Sequence, residues 1–161
     1  MNIKNRIIKT LGLAALVVGF LAVNSFAQTA AGPSASGHGN YTEADGELRT
    51  FSFHARTQNG VTRGSFVVSN RSNGHFLKGN IDCLNITGNT ATMSGSITSS
   101  SVEDLVPVGT ETRFGVVDNG EGEDAAADRM SRFNNFASVT CETPITTHSM
   151  AVDGGNIQVM P

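Results

Sequence analysis

Residues 90–99 read TATMSGSITS, and the spacing within them decides the fold. In an extended chain Ala91, Met93, Gly95 and Ile97 fall on one side, and Thr92, Ser94, Ser96 and Thr98 on the other. A helix would scatter the two sets around its axis, whereas a half-buried strand separates them. The same period of two extends in both directions. Upstream, residues 48–56 (LRTFSFHAR) set Phe51, Phe53 and Ala55 against Thr50, Ser52, His54 and Arg56. Residues 61–70 place Phe66 and Val68 on one face, and residues 76–87 alternate Leu77, Ile81 and Cys83 with Lys78, Asn80 and Asp82. Downstream, residues 111–118 carry Phe114 and Val116 as core, and short strands at 146–152 and 156–160 flank Asp153-Gly154-Gly155. Asn59-Gly60, Asn73-Gly74 and Gly88-Asn89 supply the turns, because these residues tolerate the positive φ of tight hairpins. The segment 100–110 reads as a polar connection, and a helical turn is expected within 125–133. The sum is an all-β protein, an antiparallel β-sandwich or flattened barrel of about seven to nine strands.

Ahead of the strands lies a different kind of segment. Lys4, Arg6 and Lys9 precede an unbroken apolar run at 11–23, followed by Ser25 and Ala27. Basic, apolar, then small-x-small is the order of a secretory signal peptide, here residues 1–27, cut between Ala27 and Gln28. The apolar run is shorter than the roughly 18–20 residues that span a bilayer. No second hydrophobic span follows, so no membrane span is expected in the mature chain. Residues 28–37 (QTAAGPSASG) read as a disordered lead-in, and residues 38–161 as one all-β domain.

Cleavage would remove three bases and no acids, shifting the formal net charge from −3 to about −6. An acidic surface with the single lysine Lys78 argues against nucleic acid or an anionic membrane as partner. Export also places Cys83 and Cys141 in an oxidising compartment, where one disulfide is the simplest expectation. The alternative, two free thiols on a metal, lacks a histidine or cysteine at ligand spacing to either one.

The candidate site residues are few. Asp118, Asn119, Gly120, Glu121, Gly122, Glu123 and Asp124 run on to Asp128 without a basic residue. Calcium takes about six to eight oxygens from such flexible, glycine-bearing loops, so Asp118, Asn119, Glu121 and Asp128 are candidate calcium ligands. Their spacing differs from the helix-loop-helix calcium motif, and the competing reading is a solvated turn. His38, His54, His75 and His148 are scattered, and none pairs with another at ligand spacing. No G-x-S-x-G elbow occurs, and no glycine pair precedes a helix that could cradle a phosphate. Without tryptophan, and with Tyr41 as the single tyrosine, stacking platforms for sugars or bases are not expected. No catalytic residue or cofactor is assigned beyond calcium.

The series FSFHAR (51–56), IDCLNITGNTATMSGSI (81–97), FGVVDNGEGEDAAADRMS (114–131) and GNIQV (155–159) resembles a group of small exported bacterial β domains. These are related to the domain that follows choice-of-anchor A modules in surface proteins. The resemblance implies secretion, an all-β fold and association with the cell exterior, but no reaction. It also implies a fixed structural role for the DNGE…D loop, its carboxylates bonding nearby backbone amides. The functional expectation is an exported, non-enzymatic binding or surface-associated module in contact with a cell surface or extracellular polymer. Two rivals stand beside it. One is an extracellular hydrolase acting on envelope or extracellular polymer, which needs Asp82, Asp118, Glu121 or a histidine to converge in a cleft. The other is a structural matrix or coat component.

Overall fold

A computed structural model describes residues 32–122, 124–135 and 140–161. The signal peptide, its cleavage point at Ala27–Gln28 and residues 28–31 of the lead-in lie outside the described residues. The described residues form an antiparallel β-sheet with no helix. Its eleven strands are β1 Ser34–Thr42, β2 Leu48–Gln58, β3 Val61–Asn70, β4 Phe76–Ile81, β5 Cys83–Thr87, β6 Thr90–Ser100, β7 Glu111–Val117, β8 Arg129–Met130, β9 Asn134–Asn135, β10 Met150–Ala151 and β11 Gly154–Met160.

The strand order is β10-β8-β7-β6-β4-β3-β2-β1-β11, with β5 paired to β6 and β9 to β7. The long strand expected at 76–87 is therefore two. Its register against β6 shifts near Lys78 and Gly79, and Asp82 interrupts the strand. Up to Ile81 the odd-numbered residues face the core; beyond Asp82 the partly buried Leu84 and Ile86 do so instead. Cys83 is thereby turned to the opposite face from the one its alternation predicts. A kink of this kind bends and twists a sheet. Here β4 pairs with one half of β6 and β5 with the other, so β6 is shared by both wings of a curled half-barrel.

Other expectations shift at the edges. Residues 34–37, assigned to a disordered lead-in, form the first part of β1, hydrogen-bonded between β2 and β11. Small side chains are required there: a Cβ on Gly37 would stand 2.7 Å from the Phe53 ring. The segment 125–133 is not helical, and contributes β8. The two closing strands do not pair with each other, since β10 joins β8 and β11 joins β1. The hairpin at Asn59-Gly60 stands where the sequence places it, with φ of 53° and 74°.

The concave side holds one core. Phe53 and Phe66 each meet Phe114 edge-on with ring centroids 5.6 Å apart, and Phe133 lies 4.4 Å from Phe114. Ala91, Met93, Ile97, Val116, Met130 and Ile157 complete it, all at 1 % exposure or less. Burial of such side chains contributes roughly 1.5–3 kcal/mol each.

Candidate functional site

Each wing of the sheet has a second, outward face, and the two are treated differently. On the β5-β6-β7 wing, Thr92 and Ser94 read as polar and solvent-facing, yet both are buried. The segment 140–149 lies over them. The disulfide Cys83–Cys141 (Cα–Cα 5.7 Å) ties it to β5. Ile145 N–H donates to Thr92 Oγ1 at 3.0 Å, and Asn85 Nδ2 donates to the Cys141 and Glu142 carbonyls. Arg113 donates to the carbonyls of Thr140 and Thr143. Gly115 permits the close approach, since a Cβ there would meet His148 Nε2 at 2.8 Å. His148 is held below its ordinary pKa of 6.5, first by burial and then by the Arg129 guanidinium.

The β11-β1-β2-β3-β4 wing has no such cover among the described residues. Its register aligns outward side chains in rows. One row runs Gln158, Ser36, His54, Ser65 and Asn80. The next runs Asn156, His38, Ser52, Val67 and Lys78, and a third sets Ser34, Arg56 and Arg63 side by side. His38, Ser52, His54, Arg56, Arg63, Lys78, Asn80 and Gln158 are all exposed. Shallow depressions lie along both of the first two rows, around His38 and His54 and between His54 and Lys78. This open face, rich in hydroxyl, amide, imidazole and cationic groups, is the candidate site.

The acidic loop has another task. Asp118 Oδ2 accepts the Val159 N–H at 2.9 Å and Oδ1 the Gly120 N–H at 2.9 Å. Asp128 Oδ2 accepts the Ile157 N–H at 2.7 Å and Oδ1 the Asn119 N–H at 2.8 Å. Asn119 Nδ2 donates to the Ala127 carbonyl. Ile157 and Val159 carry the N–H groups of β11 that point away from β1. The two carboxylates take the place of the missing neighbour strand, as backbone donors at a buried edge require. Glu121 does not join them on a common centre. It lines a shallow depression with Asp128 and Asp153, and the Asp153 carboxylate accepts the Thr42 hydroxyl. Among the described residues no three His, Cys, Asp or Glu side chains are grouped to hold a metal ion. The calcium expectation treated Asp118, Asn119, Glu121 and Asp128 as one ligand set. Of these, the carboxylate oxygens of Asp118 and Asp128 accept backbone amides and the Asn119 amide donates to a carbonyl.

The remaining charges sort by location. Arg49 pairs with Glu43, Asp45 and Glu47, and Arg132 with Glu43. Beside them burial, followed by the Glu43 carboxylate, pushes the Tyr41 phenol up to about 12. Asp82 stands at the kink between β4 and β5, where its N–H donates to the Ser94 carbonyl, while the Asp118 N–H donates to that of Asn89, five residues away along the β6 hairpin.

Comparison with protein-family models, curated proteins and solved structures finds no match to this chain. No helix among the described residues is long and apolar enough to cross a membrane.

Proposed function

We propose that this chain is an exported, non-enzymatic β domain that acts at the cell exterior by laying its open sheet face against an extracellular or envelope polymer. The observation that carries the reading is the contrast between the two outward faces. One is sealed by a disulfide-tied segment, while the other presents exposed His38, Ser52, His54, Lys78 and Asn80 in register. Strand rows repeat at about 4.8 Å across the sheet and about 6.8 Å along it, a regular array of donors suited to a repeating ligand. The basic-apolar-small N-terminus, the cysteine pair and the likeness of the motif series to exported bacterial β domains support placement outside the cytoplasm. Against the hydrolase reading, the Asp118 carboxylate is occupied by two amides and Asp82 lies elsewhere.

Cosedimentation with insoluble cellulose, chitin, peptidoglycan and cross-linked polygalacturonate tests this. The expected result is retention on at least one polymer, lost in the variant H38E/H54E while its melting temperature holds. Wild-type protein that stays in the supernatant with every polymer, or a variant that sediments equally well, overturns the reading.

A further inference from the structure

Arg56 and Arg63 stand directly opposite each other on β2 and β3. Like charges placed so are mutually destabilising unless something lies between them. Both are exposed, and among the described residues neither forms an ion pair or a side-chain hydrogen bond. They line a depression at the hairpin end together with Gln58, Asn59 and Val61. The other cations have employment within the fold: Arg49 and Arg132 hold carboxylates, and Arg113 and Arg129 hold backbone carbonyls. Arg71 sits on an exposed turn. Apart from Arg71, the cations left uncommitted among the described residues gather on the open face, where Lys78 joins the two arginines from β4, resting 5.1 Å over the Phe76 ring. Among the described residues no carboxylate forms an ion pair with Arg56, Arg63 or Lys78.

We propose that the open face binds an acidic polysaccharide, with the Arg56–Arg63 pair as the seat for a uronate carboxylate. This rests on the polymer-contact reading above and names its ligand class. The planar guanidinium fork matches a carboxylate in two-point geometry, and two forks side by side take one anion between them. Lys78 lies roughly 14 Å further along the sheet, within reach of another acidic unit of the same chain. The intervening Ser52, His54, Ser65 and Asn80 offer hydrogen bonds to sugar hydroxyls. Three observations separate this ligand from other polyanions. The rings on the face are the imidazoles of His38 and His54 and the half-buried Phe76, which Lys78 covers, so no large ring stands free to stack a base. The apolar side chains beside the cations are few, with Val61 in the arginine depression, Met160 at the margin, and Val67 and Phe76 only partly exposed, too little surface to enter a lipid layer. The net negative charge of the chain repels a polyphosphate at long range as it does a uronate polymer, and only the uronate polymer repays this locally, with planar carboxylates for the guanidinium forks and hydroxyls for the neighbouring serine, imidazole and amide groups.

Affinity electrophoresis of the purified protein through gels containing polygalacturonate or dextran tests the assignment. Retardation by polygalacturonate that weakens as sodium chloride rises, with none by dextran, is expected. The variant R56Q/R63Q should lose at least tenfold in affinity at unchanged melting temperature, while R71Q behaves as wild type. Equal retardation of R56Q/R63Q and wild type overturns the site. Retardation by dextran alone overturns the acidic ligand class and leaves the polymer-contact reading standing; retardation by neither polymer, with no cosedimentation on the insoluble ones, removes both. Binding to phosphatidylglycerol vesicles or single-stranded DNA in preference to polygalacturonate also overturns it.

Discussion

Asp128 Oδ2 accepts a 2.7 Å hydrogen bond from the backbone N–H of Ile157, joining the loop after β7 to the last strand without any strand pairing between them. Ile157 is fully buried, so its amide has no access to water once the carboxylate is removed. A charged acceptor in such a bond contributes about 1.5–3 kcal/mol, and Asp128 serves a second amide at Asn119. Asp128→Ala should therefore lower stability by about 3 kcal/mol, and Asp128→Asn by less, since the amide keeps one oxygen. Urea denaturation reads this directly. Wild-type midpoints should agree in calcium and in EDTA; a rise in calcium would show the carboxylates acting as metal ligands rather than as caps on β11.

The disulfide holds a cover rather than the core. Cys83 and Cys141 are separated by 58 residues, and closing a loop of that length stabilises by about 4 kcal/mol on the chain-entropy argument. Reduction, or the C83A/C141A variant, should lose much of that. The loss should be uneven: amide exchange at Ile145, whose N–H is held by Thr92, should rise more than at Phe114 in the core. Uniform acceleration at both amides would mean that the segment 140–149 does not open separately.

Acid should loosen the same cover. His148 Nε2 is buried without a hydrogen-bond partner among the described residues, and the ring's pKa lies below 6.5 in the folded chain. The unfolded chain takes up a proton near pH 6.5, and the folded chain only at lower pH. The stability this ring contributes is thus intact above pH 6.5 and is lost as pH falls from there toward the folded value. Melting temperature should drop more steeply between pH 7 and 5 in the wild type than in His148→Gln. Parallel curves would remove His148 from the account.

These tests also mark where sequence pattern stops being informative. Asn59-Gly60 was legible because both residues must adopt positive φ, and Phe51, Phe53, Phe66 and Phe114 because period-two spacing directs them to one side. Asp82 was not, since a single interrupting residue leaves no trace in composition yet reverses the facing of Leu84 and Ile86. The candidate site was half legible. Period two correctly put Ser52 and His54 on a polar face, but it described Thr92 and Ser94 in the same terms. Which polar face stays open depends on where the segment 140–149 lands, and that is fixed by pairing across the chain. The cross-strand meeting of Arg56 and Arg63 follows from the Asn59-Gly60 turn, whose tight geometry sets the register; that no acidic group among the described residues pairs with them needed the fold.

Gly95 offers a test of the kink itself. It lies on the core side of β6 between Met93 and Ile97, where alternation calls for a larger side chain. A Cβ there would stand 1.9 Å from the Asn80 carbonyl oxygen and 2.9 Å from Ile81 Cα, all backbone that no rotamer change can clear. The β4-to-β5 bend thus passes over β6 at the one residue without a side chain. Gly95→Ala should force the two strands apart and cost about 3 kcal/mol or more, the upper end of what overpacking a core costs. Gly154→Ala is the matched control, because its nearest neighbour is the Asn40 side chain at 3.1 Å, which can rotate away. Urea midpoints should fall sharply for the first and by well under half as much for the second. Equal midpoints would mean that β6 does not approach β4 closely at Gly95, and that the curl of the sheet arises elsewhere.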